Sequence, residues 1–181
     1  PDTYLLIGLG NPGREYRDNR HNFGFMVIDR LIVRLNARGM KVQSKAIVTS
    51  ATYEERKLIL AKPQTYMNLS GQSIQGLAHF YKVSTENILI AFDDLDLPFG
   101  TIRLRPVGGA DGQRGFASGL GIGRPPGRMD PADYVLQNFS REEMKFLSEI
   151  VDRAADAALT FDVDGLNKAM NKYNGSIEKQ G

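Results

Sequence analysis

The chain carries two imidazoles, His21 and His79, and no cysteine. Histidine is the side chain that ordinarily takes or gives a proton near neutral pH, so two residues compete for any such task. His21 lies in Gly8-Leu9-Gly10-Asn11-Pro12-Gly13 … Arg20-His21-Asn22, behind a strand-like segment and among side-chain amides. His79 sits in the middle of a helical pattern beside Phe80, where a structural role is the plainer reading. A partner for His21 is available in Asp93-Asp94-Leu95-Asp96, at the end of another apolar segment. A carboxylate accepting from one ring nitrogen fixes the tautomer and supports the cation formed when the other nitrogen takes a proton. One of the three carboxylates must point inward for that pairing. Asn11, Asn22 and Asn68 are either donors at such a site or ordinary turn and cap residues. No spacing resembles a metal site, and the lack of cysteine removes thiol catalysis.

The elements that must position these residues follow from periodicity. Residues 4–9 read as a buried strand, and 23–35 as a helix with apolar positions at Phe25, Ile28, Leu31, Ile32 and Leu35. Residues 46–53 and 57–61 form a hairpin across Glu54-Glu55-Arg56, and 69–81 a second helix. Residues 87–92 make a fully buried strand that ends at Asp93; 101–105 alternate as a strand with one wet face. The glycine-rich stretch 108–123 has no clear assignment. Asp130-Pro131 opens a short helix, Ser140-Arg141-Glu142-Glu143 is a capping box for a long one, and 165–173 is the last. Strands interleaved with helices indicate a single three-layer α/β domain over residues 1–174, a mixed sheet flanked by helices, with 175–181 as a frayed tail.

Bulk properties narrow the class. At 181 residues the chain can bury a core without disulfides. No apolar run approaches the roughly 20 residues that span a bilayer, and no signal-peptide pattern leads the chain. The expectation is a cytoplasmic protein, in keeping with zero cysteines. Net charge is +2 and the pI about 8.9, too mild a bias to argue for nucleic acid. Its distribution says more: Arg103, Arg105, Arg114, Arg124 and Arg128 crowd one stretch, as either a solvated edge or a phosphate-binding surface.

In open α/β sheets, ligands bind beyond the carboxyl ends of the strands. Three polar clusters occupy such ends: 11–22, Pro63-Gln64-Thr65-Tyr66-Met67-Asn68, and Asp93-Asp94-Leu95-Asp96-Leu97-Pro98. The first also spells G-x-G-x-x-G. A dinucleotide site needs a helix opening at the third glycine, however, and here Gly13 leads into the polar Arg14-Glu15-Tyr16-Arg17-Asp18-Asn19-Arg20. The fingerprint is therefore weak.

Several ordered motifs together resemble the bacterial peptidyl-tRNA hydrolase family over nearly the whole chain. They are residues 8–13, Tyr16, Arg20-His21-Asn22, Lys62 to Gly71, Asp93 to Gly100, Gly121-Ile122-Gly123-Arg124-Pro125-Pro126-Gly127 and Asp133-Tyr134-Val135-Leu136. The resemblance implies hydrolysis of the ester joining a peptide to the terminal ribose of tRNA, which recycles both after aborted translation. It implies His21 as the general base that activates water, oriented by Asp93. Asn11 and Asn68 would hold the peptidyl ester, and Tyr16, Tyr66 and Met67 belong to the expected substrate-binding set. Arg105 matches a basic position that clamps a tRNA phosphate. Ester hydrolysis of this kind needs no cofactor and no metal. The expected partner is peptidyl-tRNA, bound through its acceptor end and phosphates by a monomer away from membranes.

The departures gather in the glycine loop 108–115. Where the family commonly carries a histidine-asparagine pair, this chain has Gln113 and Arg114, which keep hydrogen bonding and phosphate attraction possible. The family's following helix, and the strand with a second basic clamp residue, shrink to residues 116–120. Real loss of those elements would bare apolar surface on the sheet, so the reading is that a segment was left out of the sequence, with a genuine deletion as the second choice. The competing function is a non-enzymatic RNA-binding protein similar to chloroplast group II intron splicing factors, with which residues 124–131 are compatible.

Overall fold

The structure, a computed structural model, describes residues 2–66, 69–108 and 114–176, Arg114 by its backbone alone. In chain order the elements are β1 (Thr3–Gly8), α1 (Phe23–Arg34), β2 (Arg38–Gln43), β3 (Ala46–Tyr53), β4 (Arg56–Pro63), α2 (Ser70–Tyr81), β5 (Ile88–Asp94), β6 (Thr101–Gly108), β7 (Arg114–Gly121), α3 (Pro131–Val135), α4 (Arg141–Asp164), α5 (Leu166–Tyr173) and β8 (Gly175–Ser176). The strands form one mixed sheet in the order β2-β3-β4-β1-β5-β7-β6-β8. Its centre, β4-β1-β5-β7, is parallel, and the flanking pairs are antiparallel. This is the expected three-layer α/β architecture.

Parallel strands must be covered on both faces, which explains the unbroken apolar runs of β1 and β5. Leu6, Leu89, Leu104 and Leu120 face one side and pack with α1, α4 and α5. Leu5, Ile7, Ile59 and Ile88 face the other and pack with Leu77 of α2. The α4 helix starts at its capping box: Ser140 Oγ accepts from the Glu143 N–H at 3.1 Å, and Glu143 Oε1 accepts from the Ser140 N–H at 2.9 Å.

Three strands escaped the sequence pattern. In β2 every residue except Gln43 is exposed, with Met40 and Val42 at 72% and 74%, so no buried face marks it as a strand; backbone pairing with β3 makes it one. β7 occupies the stretch that had no assignment. Its glycines at 115, 119 and 121 lower strand propensity, yet it is hydrogen-bonded to β5 on one side and β6 on the other. Residues 116–120 are therefore a whole strand's interior, and the sheet runs unbroken across the region where a central element was expected to be lost. Finally, Gly175 and Ser176 do not fray but pair with Ile102 and Thr101 of β6. Asn174 continues that protection of the edge: its side chain accepts from the Leu104 N–H at 2.7 Å and donates to the Leu104 carbonyl at 3.0 Å.

Candidate active site

The fold brings the first and third polar clusters together. β1 and β5 are adjacent and parallel, so the loops after Gly8 and after Asp94 leave the sheet side by side. Between them sits the start of α1, at unusually close range. A Cβ on Gly8 would lie 2.1 Å from the Gly24 carbonyl oxygen, and one on Gly24 would lie 2.3 Å from the Ala91 oxygen. Only glycine at both positions lets the first turn of α1 rest on the strands. The 3-10 turn Arg20–Asn22 immediately before that helix is thereby set over the strand ends.

His21 Nδ1 lies 3.1 Å from both carboxylate oxygens of Asp93. The imidazole is 18% exposed and the Asp93 side chain 4%, so the pair is shielded from bulk water yet open at one edge. With Nδ1 directed at the carboxylate, Nε2 is the ring nitrogen left for a proton from outside. The other two carboxylates have different tasks. Asp94 Oδ1 accepts from the Asp96 N–H at 2.9 Å and closes the turn, and Asp96 pairs with Arg124.

Asn11 is buried, 9% exposed, and held by an interaction that sequence reasoning did not single out. The Asn22 side chain accepts from the Asn11 N–H at 2.8 Å and donates to the Asn11 carbonyl at 3.0 Å. Asn22 holds the N-cap position of α1, but its side chain makes no capping bond there; the amide instead pins the β1 loop to the turn that carries His21. The adjacency of His21 and Asn22 was the available signal, because consecutive residues of one tight turn point in different directions and can reach two different elements.

A cleft of about 380 Å³ opens at the dyad, walled by His21, Asp93, Leu95, Arg124, Ala132 and Val135. A larger one of about 710 Å³ is lined by Asn11 and Asn22 together with residues such as Arg17, Phe25, Met26 and Val33, and His21 does not line it. The smaller cleft is the candidate site, since it alone holds the imidazole–carboxylate pair. Among the described residues no group of three or more His, Cys, Asp or Glu side chains could hold a metal ion.

The remaining expected site residues divide three ways. Tyr16 is half-buried in a 3-10 turn of the first loop, and Tyr66 is 62% exposed at the second. Met67, Asn68 and Gln113 lie outside the described residues. Arg105 is exposed on β6, beside Ala117 of β7. The backbone of Arg114 is not at the dyad. It opens β7, whereas Leu120, six residues on, is the partner of Asp93. At about 3.3 Å per residue this separates Arg114 from Asp93 by roughly 20 Å along the sheet. The reason is that Arg114 pairs with Gly108 at the end of β6, at the opposite end of the strands from Asp93. The tRNA contact expected of the glycine loop falls on Gln113 and the Arg114 side chain, which lie outside the described residues. The dinucleotide reading stays weak: Gly13 leads into the short 3-10 turn Arg14–Tyr16, and the first α-helix opens ten residues later at Phe23.

With this geometry in place, a family model for peptidyl-tRNA hydrolase matches residues 5–180. The chain belongs to the peptidyl-tRNA hydrolase family. Among curated relatives, the peptidyl-tRNA hydrolase of Rhodococcus erythropolis is 45% identical across 96% of this chain and 98% of its own length. That of Streptomyces avermitilis is 44% identical, covering 94% and 93%. The crystal structure of peptidyl-tRNA hydrolase from Acinetobacter baumannii superposes with a TM-score of 0.85 at 31% identity, covering 95% of this chain and 96% of that one. No helix among the described residues is long and apolar enough to cross a membrane.

Proposed function

We propose that this chain hydrolyses the ester between the peptide and the terminal ribose of peptidyl-tRNA, with His21 as the general base. The observation that carries the reading is the His21–Asp93 pair at 3.1 Å, placed at an open cleft; Asn11 lines the larger cleft and is tied to this turn through Asn22, the residue after His21. Nε2 of His21 takes a proton from a water whose oxygen attacks the ester carbonyl carbon. Asp93 accepts the Nδ1–H, which fixes the productive tautomer and stabilises the imidazolium. The carbonyl oxygen acquires negative charge as the tetrahedral species forms, and the Asn11 side-chain amide is a donor suited to it. Collapse expels the ribose oxygen, which recovers the proton from His21. The products are a free peptide carboxylate and tRNA.

Arg105, exposed on β6, offers a two-pronged guanidinium for a phosphate of the tRNA. The reading is of a cytoplasmic enzyme acting as a monomer, and each of its steps uses only side chains and water. The non-enzymatic RNA-binding alternative draws no support from the relatives named above, which carry the hydrolase name.

The test is release of an N-blocked amino acid from tRNA by wild type and by His21→Ala. General bases contribute about 10²- to 10⁴-fold, so kcat should fall by about a thousandfold. Equal rates would sink the general-base assignment, and no turnover by either protein would favour the binding alternative.

A further inference from the structure

The residue before the base is itself buried. Arg20 is 5% exposed, an uncommon fate for a guanidinium unless it is paired; its two terminal nitrogens are, while its Nε has no hydrogen-bond partner among the described residues. Its Nη2 lies 2.8 Å from Glu143 Oε1, and its Nη1 donates to the Tyr134 carbonyl at 3.2 Å. The guanidinium also stacks on the Tyr134 ring, 3.9 Å from the centroid. The backbone repeats the connection: the Arg20 N–H donates to the Gln137 carbonyl at 3.0 Å, and the Phe139 N–H to the Asp18 carbonyl at 3.3 Å. Asn19 adds a side-chain bond to Asn138 at 2.6 Å.

Each residue of the 3-10 turn thus grips a different part of the fold. Asn22 holds the β1 loop, His21 meets the end of β5, and Arg20 is locked into the junction between α3 and α4. That junction is also part of the site, because α3 supplies Pro131, Ala132 and Val135 to the cleft wall that His21 faces. A guanidinium fixed by a carboxylate, a carbonyl and a ring leaves the turn little freedom to rotate. Rotation of the turn is the motion that would swing the imidazole off Asp93.

We infer that Arg20 is a positioning residue for this reaction: latched by Glu143 and Tyr134, it holds the His21 ring against Asp93 and keeps the α3 wall in place. The inference rests on the reading of His21 as the base. Arg20→Lys keeps the charge but loses the planar, two-pronged and stacked contact. Glu143→Gln removes the charge facing Arg20 while leaving an oxygen to accept from the Ser140 N–H, so the cap of α4 survives.

Two readouts separate positioning from plain stability. One is kcat against KM for release of an N-blocked amino acid from tRNA. The other is the imidazole ¹⁵N spectrum, which contains only two histidines, with exposed His79 on α2 as an internal reference. In Arg20→Lys, kcat should fall between about tenfold and a hundredfold, as small misplacements of a reacting group do, with KM within about threefold. The His21 signals should move while those of His79 stay. Glu143→Gln should act in the same direction and less strongly, and it decides the matter if Arg20→Lys does not fold. A lowered Tm with wild-type kcat and unmoved His21 signals would overturn the inference. A fully active His21→Ala protein would instead overturn the base, and the His21 signals would still report whether Arg20 orients the ring.

Discussion

Two aspartates have almost no contact with water, and the molecule treats them in opposite ways. Asp93, at the end of β5, has a side chain 4% exposed and is paired with His21 at the mouth of a cleft. Asp162, in the last turns of α4, is 1% exposed, and neither of its carboxylate oxygens has a hydrogen-bond partner among the described residues. Burial pushes the Asp162 carboxyl up to about 7 from its ordinary 3.8, against the pull of the Arg56 guanidinium. A perturbed buried acid is often read as a mark of function. Here the acid proposed to serve chemistry is the one with a partner and an opening, and the strongly perturbed one does not line that cleft.

Asp162 offers the largest expected effect and the sharpest contrast. A carboxyl whose folded pKa lies above its unfolded value gives its full stability below the unfolded value. That stability is lost as pH rises from about 3.8 and is gone once pH passes about 7. Asp162→Asn removes the charge, so at pH 8 it should stabilise the fold by up to about 4 kcal/mol and at pH 4 should change little. Chemical denaturation at the two pH values measures the difference, and kcat should stay at the wild-type value. Equal stabilisation at both pH values would mean that ionisation is not the cause.

Asp93→Asn should do the reverse. An amide opposite Nδ1 favours the wrong tautomer and cannot support the imidazolium, so kcat should drop by about a hundredfold or more. Stability should change by less than in Asp162→Asn, since the substitution keeps shape and a hydrogen-bonding group. Loss of folding with no specific loss of kcat would break the comparison. The smallest effect belongs to the exposed β6 strand. Arg105→Ala should weaken tRNA binding by about three- to tenfold, and make the slope of log affinity on log salt shallower by about one, with kcat nearly unchanged. An unaltered salt slope would make Arg105 a solvated edge residue.

The β6–β7 hairpin shows what local pattern conceals. Ile102 and Leu104 are buried while Arg103 and Arg105 are exposed, so half of the hairpin advertises itself by alternation. The other half, Gly115-Phe116-Ala117-Ser118-Gly119-Leu120-Gly121, reads as a loop until β5 and β6 supply partners on both sides. Its small residues also moderate the exposure that a shortened connection was expected to cause. On the face away from Leu120, β7 presents Gly115, Ala117, Gly119 and Gly121, and Ala117 is only 4% exposed.

What the sequence determined by itself is whatever depends on near neighbours. The apolar runs of β1 and β5, the periodicity of α1 and α2, and the Ser140 capping box each encode an element within a few residues. The types of His21, Asp93 and Asn11 likewise carry their chemistry wherever they are placed. Tertiary structure alone decided which carboxylate faces the imidazole, because Asp93, Asp94 and Asp96 differ only in direction at a strand end. It decided that Asn22 clamps Asn11 and that Arg20 reaches Glu143, which is 123 positions away. It also decided that Arg114 opens a strand about 20 Å from Asp93. Hydrogen bonds and packing between distant segments carry no local period, so these contacts could be read only after the chain had closed on itself.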